Sequence, residues 1–172
     1  YTDWLPSVNV RYEPVRNLVL RAAGYRSLVR PNLADLAPRF AVEETDDDGR
    51  EGDFGNPDLL PYQAWNFDAS AEYYFTSNGA ITANVFYKDI DNFIVDLTDR
   101  DTGVFNNIAY DTATIPINGE SAKVFGAEFS LAQAFTFLPS PLDGFLTQLN
   151  YTYTDAEGTV MDEDNVERII PL

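Results

Sequence analysis

Six stretches of this chain alternate apolar and polar residues, and the connections between them run short, long, short, long, short. Side chains flip faces at every strand residue, so each stretch presents one apolar wall and one polar wall. The third stretch shows it best. Trp65, Phe67, Ala69, Ala71, Tyr73 and Phe75 share one face, and Asn66, Asp68, Ser70, Glu72, Tyr74 and Thr76 share the other. Those two sets cannot meet the same solvent. The pattern predicts an all-β fold: antiparallel, up-and-down, with about six long strands, short turns on one end and long loops on the other.

The first strand is expected over about 4–12, with Trp4, Val8, Val10 and Tyr12 on one face and Ser7, Asn9 and Arg11 on the other. A short polar turn with Pro14 leads to the second, about 18–28, where Arg26 falls on the apolar side and suggests a bulge. The stretch 29–61 carries four of the ten prolines and the acidic run 43–53, so it reads as loop. The third strand, about 62–76, ends at Ser77-Asn78-Gly79, a strong hairpin signal. The fourth covers about 80–95, and a second long loop about 96–120. The fifth, about 121–138, turns through Pro139 to Gly144 into the sixth, about 145–154. Residues from 156 onward read as acidic loop.

Strand length separates a membrane sheet from a soluble sandwich. From Trp65 to Phe75 the chain rises roughly 33 Å at ~3.3 Å per residue. Tilted by ~40°, that covers roughly 25 Å, the height of the lipid-facing band of a transmembrane barrel. Aromatic residues sit at both ends of the span, Trp65 and Phe67 at one and Tyr73 and Phe75 at the other, with only alanines between. Two membrane–water interfaces select for such paired girdles. Ordinary strands run ~5–6 residues, which disfavours the sandwich. Six strands do not close a barrel, for which eight is the usual floor. Open edges in lipid are not tolerated, so residues 1–172 read as part of a larger barrel.

Composition removes other classes. The chain has no cysteine and no histidine, which excludes thiol nucleophiles, cysteine–histidine zinc sites and a serine–histidine mechanism. A formal net charge of -17, from 28 acidic and 11 basic residues, is unsuited to nucleic acid. No cofactor and no metal site are expected. The acidic pairs Glu43/Glu44 and Asp162/Glu163/Asp164 read as solvated charge. The Asp46-Asp47-Asp48-Gly49 run lacks the ligand spacing of a calcium loop.

Five segments carry a resemblance: LVLRAAGYRSLVRPNLADLAP, GNPDLLPYQAWNFDASAEYYF, GAITANVFYKDIDNFI, SAKVFGAEFSLAQAF and LNYTYTDAEG. In order and spacing the chain resembles the barrel of a TonB-dependent outer-membrane receptor, in the branch common in Caulobacter-like and Xanthomonas-like bacteria. It departs from the pattern at Gly24-Tyr25, Leu60 and Tyr62. The resemblance implies a 22-stranded barrel filled by a plug, in the outer membrane of a Gram-negative bacterium, with residues 1–172 expected to hold neither the plug domain nor the C-terminal closing strand. It also implies active uptake of a bulky nutrient, with energy delivered by the TonB complex through the plug. The chain is then no enzyme, and its partners are outer-membrane lipid and lipopolysaccharide, the rest of the barrel, the plug and the nutrient. The branch tilts the ligand toward oligosaccharide over siderophore. The rival reading is a soluble all-β carbohydrate-binding module.

Under that resemblance, Arg11, Arg21, Asp68, Glu72, Lys88, Glu128 and Asn150 face the lumen, where they satisfy one another and the plug. Ligand contact falls to Arg30, Asn32, Asn56, Asp58 and Trp65 near the loop-end rim. An aromatic ring beside amides and carboxylates suits a sugar. Asn56-Pro57 equally reads as turn chemistry.

Overall fold

A computed structural model describes residues 2–38, 40–45, 49–99, 103–105, 107–161 and 167–171. In chain order the elements are β1 (Ser7–Val15), β2 (Leu18–Val29), α1 (Leu33–Leu36), β3 (Phe40–Thr45), β4 (Gly49–Phe54), β5 (Tyr62–Thr76), β6 (Gly79–Asp91) and β7 (Ile94–Asp99). Then come β8 (Gly103–Phe105), β9 (Ile108–Tyr110), β10 (Thr112–Asn118), β11 (Ser121–Ala134), β12 (Leu146–Met161) and β13 (Glu167–Pro171).

The long strands form one antiparallel sheet in the order β1-β2-β5-β6-β11-β12-β13. Residues opposite one another across a ladder point to the same face, so register can be read as rows. One row runs Val10, Ala22, Ala69, Val85, Ala127, Tyr153. The next residue along each strand gives Arg11, Arg21, Ser70, Asn84, Glu128, Thr152. The first row carries no charge and the second no apolar side chain. A slip of one residue anywhere would exchange the two walls, so the pattern itself sets the register.

Among the described residues nothing covers the apolar wall. Val10, Phe67 and Leu149 remain 56%, 51% and 53% exposed. A soluble sandwich buries that face against a second sheet. The wall is instead a partial, unclosed barrel with β1 and β13 at its edges. On its outer face charges return toward the loop end, first at Asp155 and then in the row Arg26, Trp65, Asp89, Lys123, Glu157. Arg26 therefore needs no bulge: β2 pairs with β5 without a break from Leu18 to Val29. The irregularities lie at the turn end, between Tyr12 and Val15 and between Tyr73 and Thr76. Pro14, which has no N–H to give the ladder, stands inside the first of them.

Several boundaries differ from expectation. The sheet has seven strands because β12 runs on to Met161 and pairs with β13, where the acidic composition suggested loop. The first strand begins at Ser7, after Pro6, so Trp4 precedes it. The fifth ends at Ala134. The fourth ends at Asp91, since Asn92 takes a positive φ of 58° and turns the chain out of the barrel wall.

The two long loops are the largest correction. They form a four-stranded sheet of their own, in the order β3-β4-β10-β7. Here β10 lies parallel to β4 and antiparallel to β7, so the segment before β5 and the segment after β6 interlock. Phe54, Tyr110, Ala113 and Ile115 form a buried cluster, with Val42 and Ile117 packed against it. Phe54 is the one large side chain fully buried among the described residues. The compact core of this chain therefore lies in its loops. The runs 46–48 and 162–166, with their acidic residues, fall outside the described residues.

Candidate functional site

At the turn end the connections are short and tied together. Asn78 donates from its amide to Thr136 Oγ1 at 3.0 Å, and its carbonyl accepts from the Ala134 N–H at 2.9 Å. Gly79 is needed there, since a β-carbon would meet the Gln133 amide oxygen and the Thr76 hydroxyl.

Register places Arg11, Arg21, Asp68, Glu72, Lys88, Glu128 and Asn150 on the polar wall. Most pair within it. Arg21 Nε donates to Glu72 Oε1 at 2.8 Å, and the Tyr74 hydroxyl donates to Glu72 Oε2 at 2.8 Å. Arg11 forms an ion pair with Glu13. Asn84 donates to Glu128 Oε2 at 3.3 Å, and the Ser130 hydroxyl donates to Asn150 Oδ1 at 2.9 Å. Asp68 lines a cavity of about 290 Å³ beside Arg11 and Arg21.

At the loop end the five candidate ligand residues separate. Arg30 and Asn32 line one cavity of about 400 Å³, together with Val29, Pro31, Asp35, Tyr62, Ile94 and Asp96. Asn32 Oδ1 also accepts from the Ala34 N–H at 3.3 Å, capping α1. Asn56 is a clamp: its amide donates to the Pro116 carbonyl at 3.0 Å, and its Oδ1 accepts from the Asp58 N–H at 3.0 Å. The Asp58 side chain stands exposed on that turn. Trp65 lies on the opposite face of the sheet from Tyr62, stacked on Phe67 at 6.5 Å between ring centroids and lying under Arg26 at 6.0 Å. The structure thus brings Arg30 and Asn32 together, sets Asn56 and Asp58 in one turn, and leaves Trp65 on the apolar wall.

Sequence reasoning missed Tyr62, Asp35, Asp96 and Asn118. Asn118 Oδ1 accepts from the Leu60 N–H at 2.8 Å, and its amide donates to the Leu60 and Asn92 carbonyls at 3.0 and 2.9 Å. One side chain therefore holds the entrance of β5 to the end of β10. The alternation of Thr112, Thr114 and Pro116 with Ala113, Ile115 and Ile117 was the available signal for β10.

Among the described residues no three of His, Cys, Asp and Glu are grouped to hold a metal ion, and no helix is long and apolar enough to cross a membrane. The crossing element here is the strand: two-faced, up to 16 residues long, apolar and exposed on one side. That defines a transmembrane β-barrel wall. Residues 1–170 match the family described as TonB dependent receptor-like, beta-barrel, and the chain belongs to that family. Members are Gram-negative outer-membrane proteins, transporters rather than enzymes. A search of curated sequences finds no match.

Solved structures agree on the fold. The siderophore receptor PirA from Pseudomonas aeruginosa matches with a TM-score of 0.66 and 19% identity, over 98% of this chain and 33% of that one. A mutant of the ferric enterobactin receptor PfeA from Pseudomonas aeruginosa, in complex with enterobactin, matches at 0.64 and 20%, over 91% and 25%. PirA from Acinetobacter baumannii matches at 0.55 and 12%, over 97% and 36%. The chain spans a quarter to about a third of the length of these receptors.

Proposed function

We propose that this chain supplies wall strands and loops of an outer-membrane receptor that imports a bulky nutrient, driven by the TonB complex through a plug. The observation that carries this is the pair of neighbouring register rows, one wholly apolar and exposed, the other wholly polar. Lipid on one side and a wet lumen on the other account for both. The polar wall, from Arg11 to Asn150, then meets the plug, and the loop sheet stands at the outer surface among lipopolysaccharide. A soluble carbohydrate-binding module would leave Val10, Phe67 and Leu149 in water.

For the ligand we propose an oligosaccharide over a siderophore. Enterobactin is bound by a structural neighbour only 20% identical, a likeness that speaks to fold alone. Arg30, Asn32 and Asp58 mix donors and acceptors, as a sugar requires. Energised uptake tests it: labelled neutral oligosaccharides and a ferric catecholate are offered to cells with and without the intact receptor. Receptor-dependent oligosaccharide uptake that collapses with the proton gradient is expected. Uptake of the iron chelate alone overturns the ligand preference, and uptake of neither overturns the transport role.

A further inference from the structure

We propose that the cavity where β2, α1, β5 and β7 meet is a subsite for an uncharged, polyhydroxylated ligand, one saccharide ring seated on Tyr62. The proposal rests on the uptake reading for its ligand's route, and on the cavity alone for its chemistry.

Place comes first. Val29 and Tyr62 are register partners, and both carry the parity of the polar wall, so they frame the cavity from the side away from the apolar wall. The space of about 400 Å³ falls within the ~300–1,000 Å³ of small-molecule sites. It is built where three separate segments converge. Asn118 bonds to Leu60 and Asn92, and the Asn56 N–H donates to the Asp35 carbonyl, so the chain leading into β5 is fastened to the other two segments.

The lining has two parts. Tyr62, Pro31, Val29 and Ile94 offer apolar surface, and the negative face of an aromatic ring attracts the slightly positive C–H groups of a sugar face. Arg30, Asn32, Asp35 and Asp96 offer polar groups. Two carboxylates and a guanidinium share the space without an ion pair between them. The charged groups of Arg30, Asp35 and Asp96 are each without a protein partner among the described residues.

A hydroxyl both donates and accepts, so a polyol satisfies guanidinium, amide and carboxylate together. A polyanion meets two carboxylates for one guanidinium. It also meets a neighbouring cavity of about 600 Å³ that shares Asp35 and Asp96 and adds Glu43, Glu51 and Asp53. Both facts select against an anionic ligand.

The test is equilibrium binding of fluorescent malto-, cello- and xylo-oligosaccharides to the intact purified receptor, with a ferric catecholate as the anionic counterpart. Tyr62→Ala should weaken saccharide binding about tenfold, as loss of one stacking contact does, while Tyr62→Phe keeps the ring and the affinity. Asp96→Asn, a change on an exposed loop strand, should weaken it severalfold, and its unfolding midpoint checks the fold independently. Saccharide binding that neither Tyr62→Ala nor Asp96→Asn alters overturns the subsite and leaves the uptake reading standing. Binding of no saccharide overturns the subsite, and catecholate binding in its place removes the ligand preference as well.

Discussion

The barrel wall and the loop sheet are both built on a two-residue alternation, yet they spend their apolar faces in opposite ways. In the wall Phe67 is 51% exposed, whereas in the loop sheet Phe54 is at 0%. What differs is the length of the alternating run and what lies over it. Wall strands run up to 16 residues and leave Val10, Ala69 and Val85 exposed. Loop strands run 3 to 7 residues, and the Tyr110 ring closes on Phe54 at 5.6 Å between centroids. A short alternating strand needs protein to cover it in water. A long one has a second option, which is lipid.

Four substitutions in the intact receptor sharpen that contrast. The largest effect belongs to Phe54→Ala, which should destabilise the loop sheet by about 3–5 kcal/mol through the cavity it leaves. Hydrogen exchange should then rise in β4 and β10 while the wall strands keep their protection. Equal loss in both regions would mean the two sheets are one cooperative unit. Ala71→Arg comes next, at about 2–4 kcal/mol if that side chain meets the bilayer midplane, read from the urea midpoint of the receptor in lipid. Third, Asn118→Ala strands the Leu60 N–H and two carbonyls, and should cost about 1–3 kcal/mol in the loop sheet. Limited proteolysis near Leu60 reads that loss. The smallest effect belongs to Ser70→Arg, one residue from Ala71 on the polar wall, which should stay within ~0.5 kcal/mol. Matching costs at Ala71 and Ser70 would break the assignment of faces.

Much of the wall was legible in advance because its pattern is local. The β5 boundaries follow from Tyr62 at one end and Ser77-Asn78-Gly79 at the other, and the seven polar-wall residues follow from parity alone. Arg26 misled because parity says nothing of height: it sits on the outer face above the apolar band, braced on Trp65 and donating to Gln63. The loops were illegible for a different reason. Proline and acidic composition marks 29–61 as irregular, but β3 and β4 pair as a hairpin that β10, some 60 residues later, extends into a sheet. The five candidate ligand residues separate for the same reason. Trp65 looked like a neighbour of Arg30 by position in the chain, whereas Tyr62 and Asp96 are neighbours only because β7 folds back.

Alternation, strand length and turn spacing were written in the residues themselves: they decide which side chains share a face, and a two-faced strand of that length has few homes. What only the folded chain settled was which distant segments meet. Glu51 and Thr112 become partners, and Arg30 comes to line one cavity with Asp96, through contacts whose closure depends on all the intervening chain. Periodicity is a property of neighbours in sequence; a binding cavity is a property of neighbours in space.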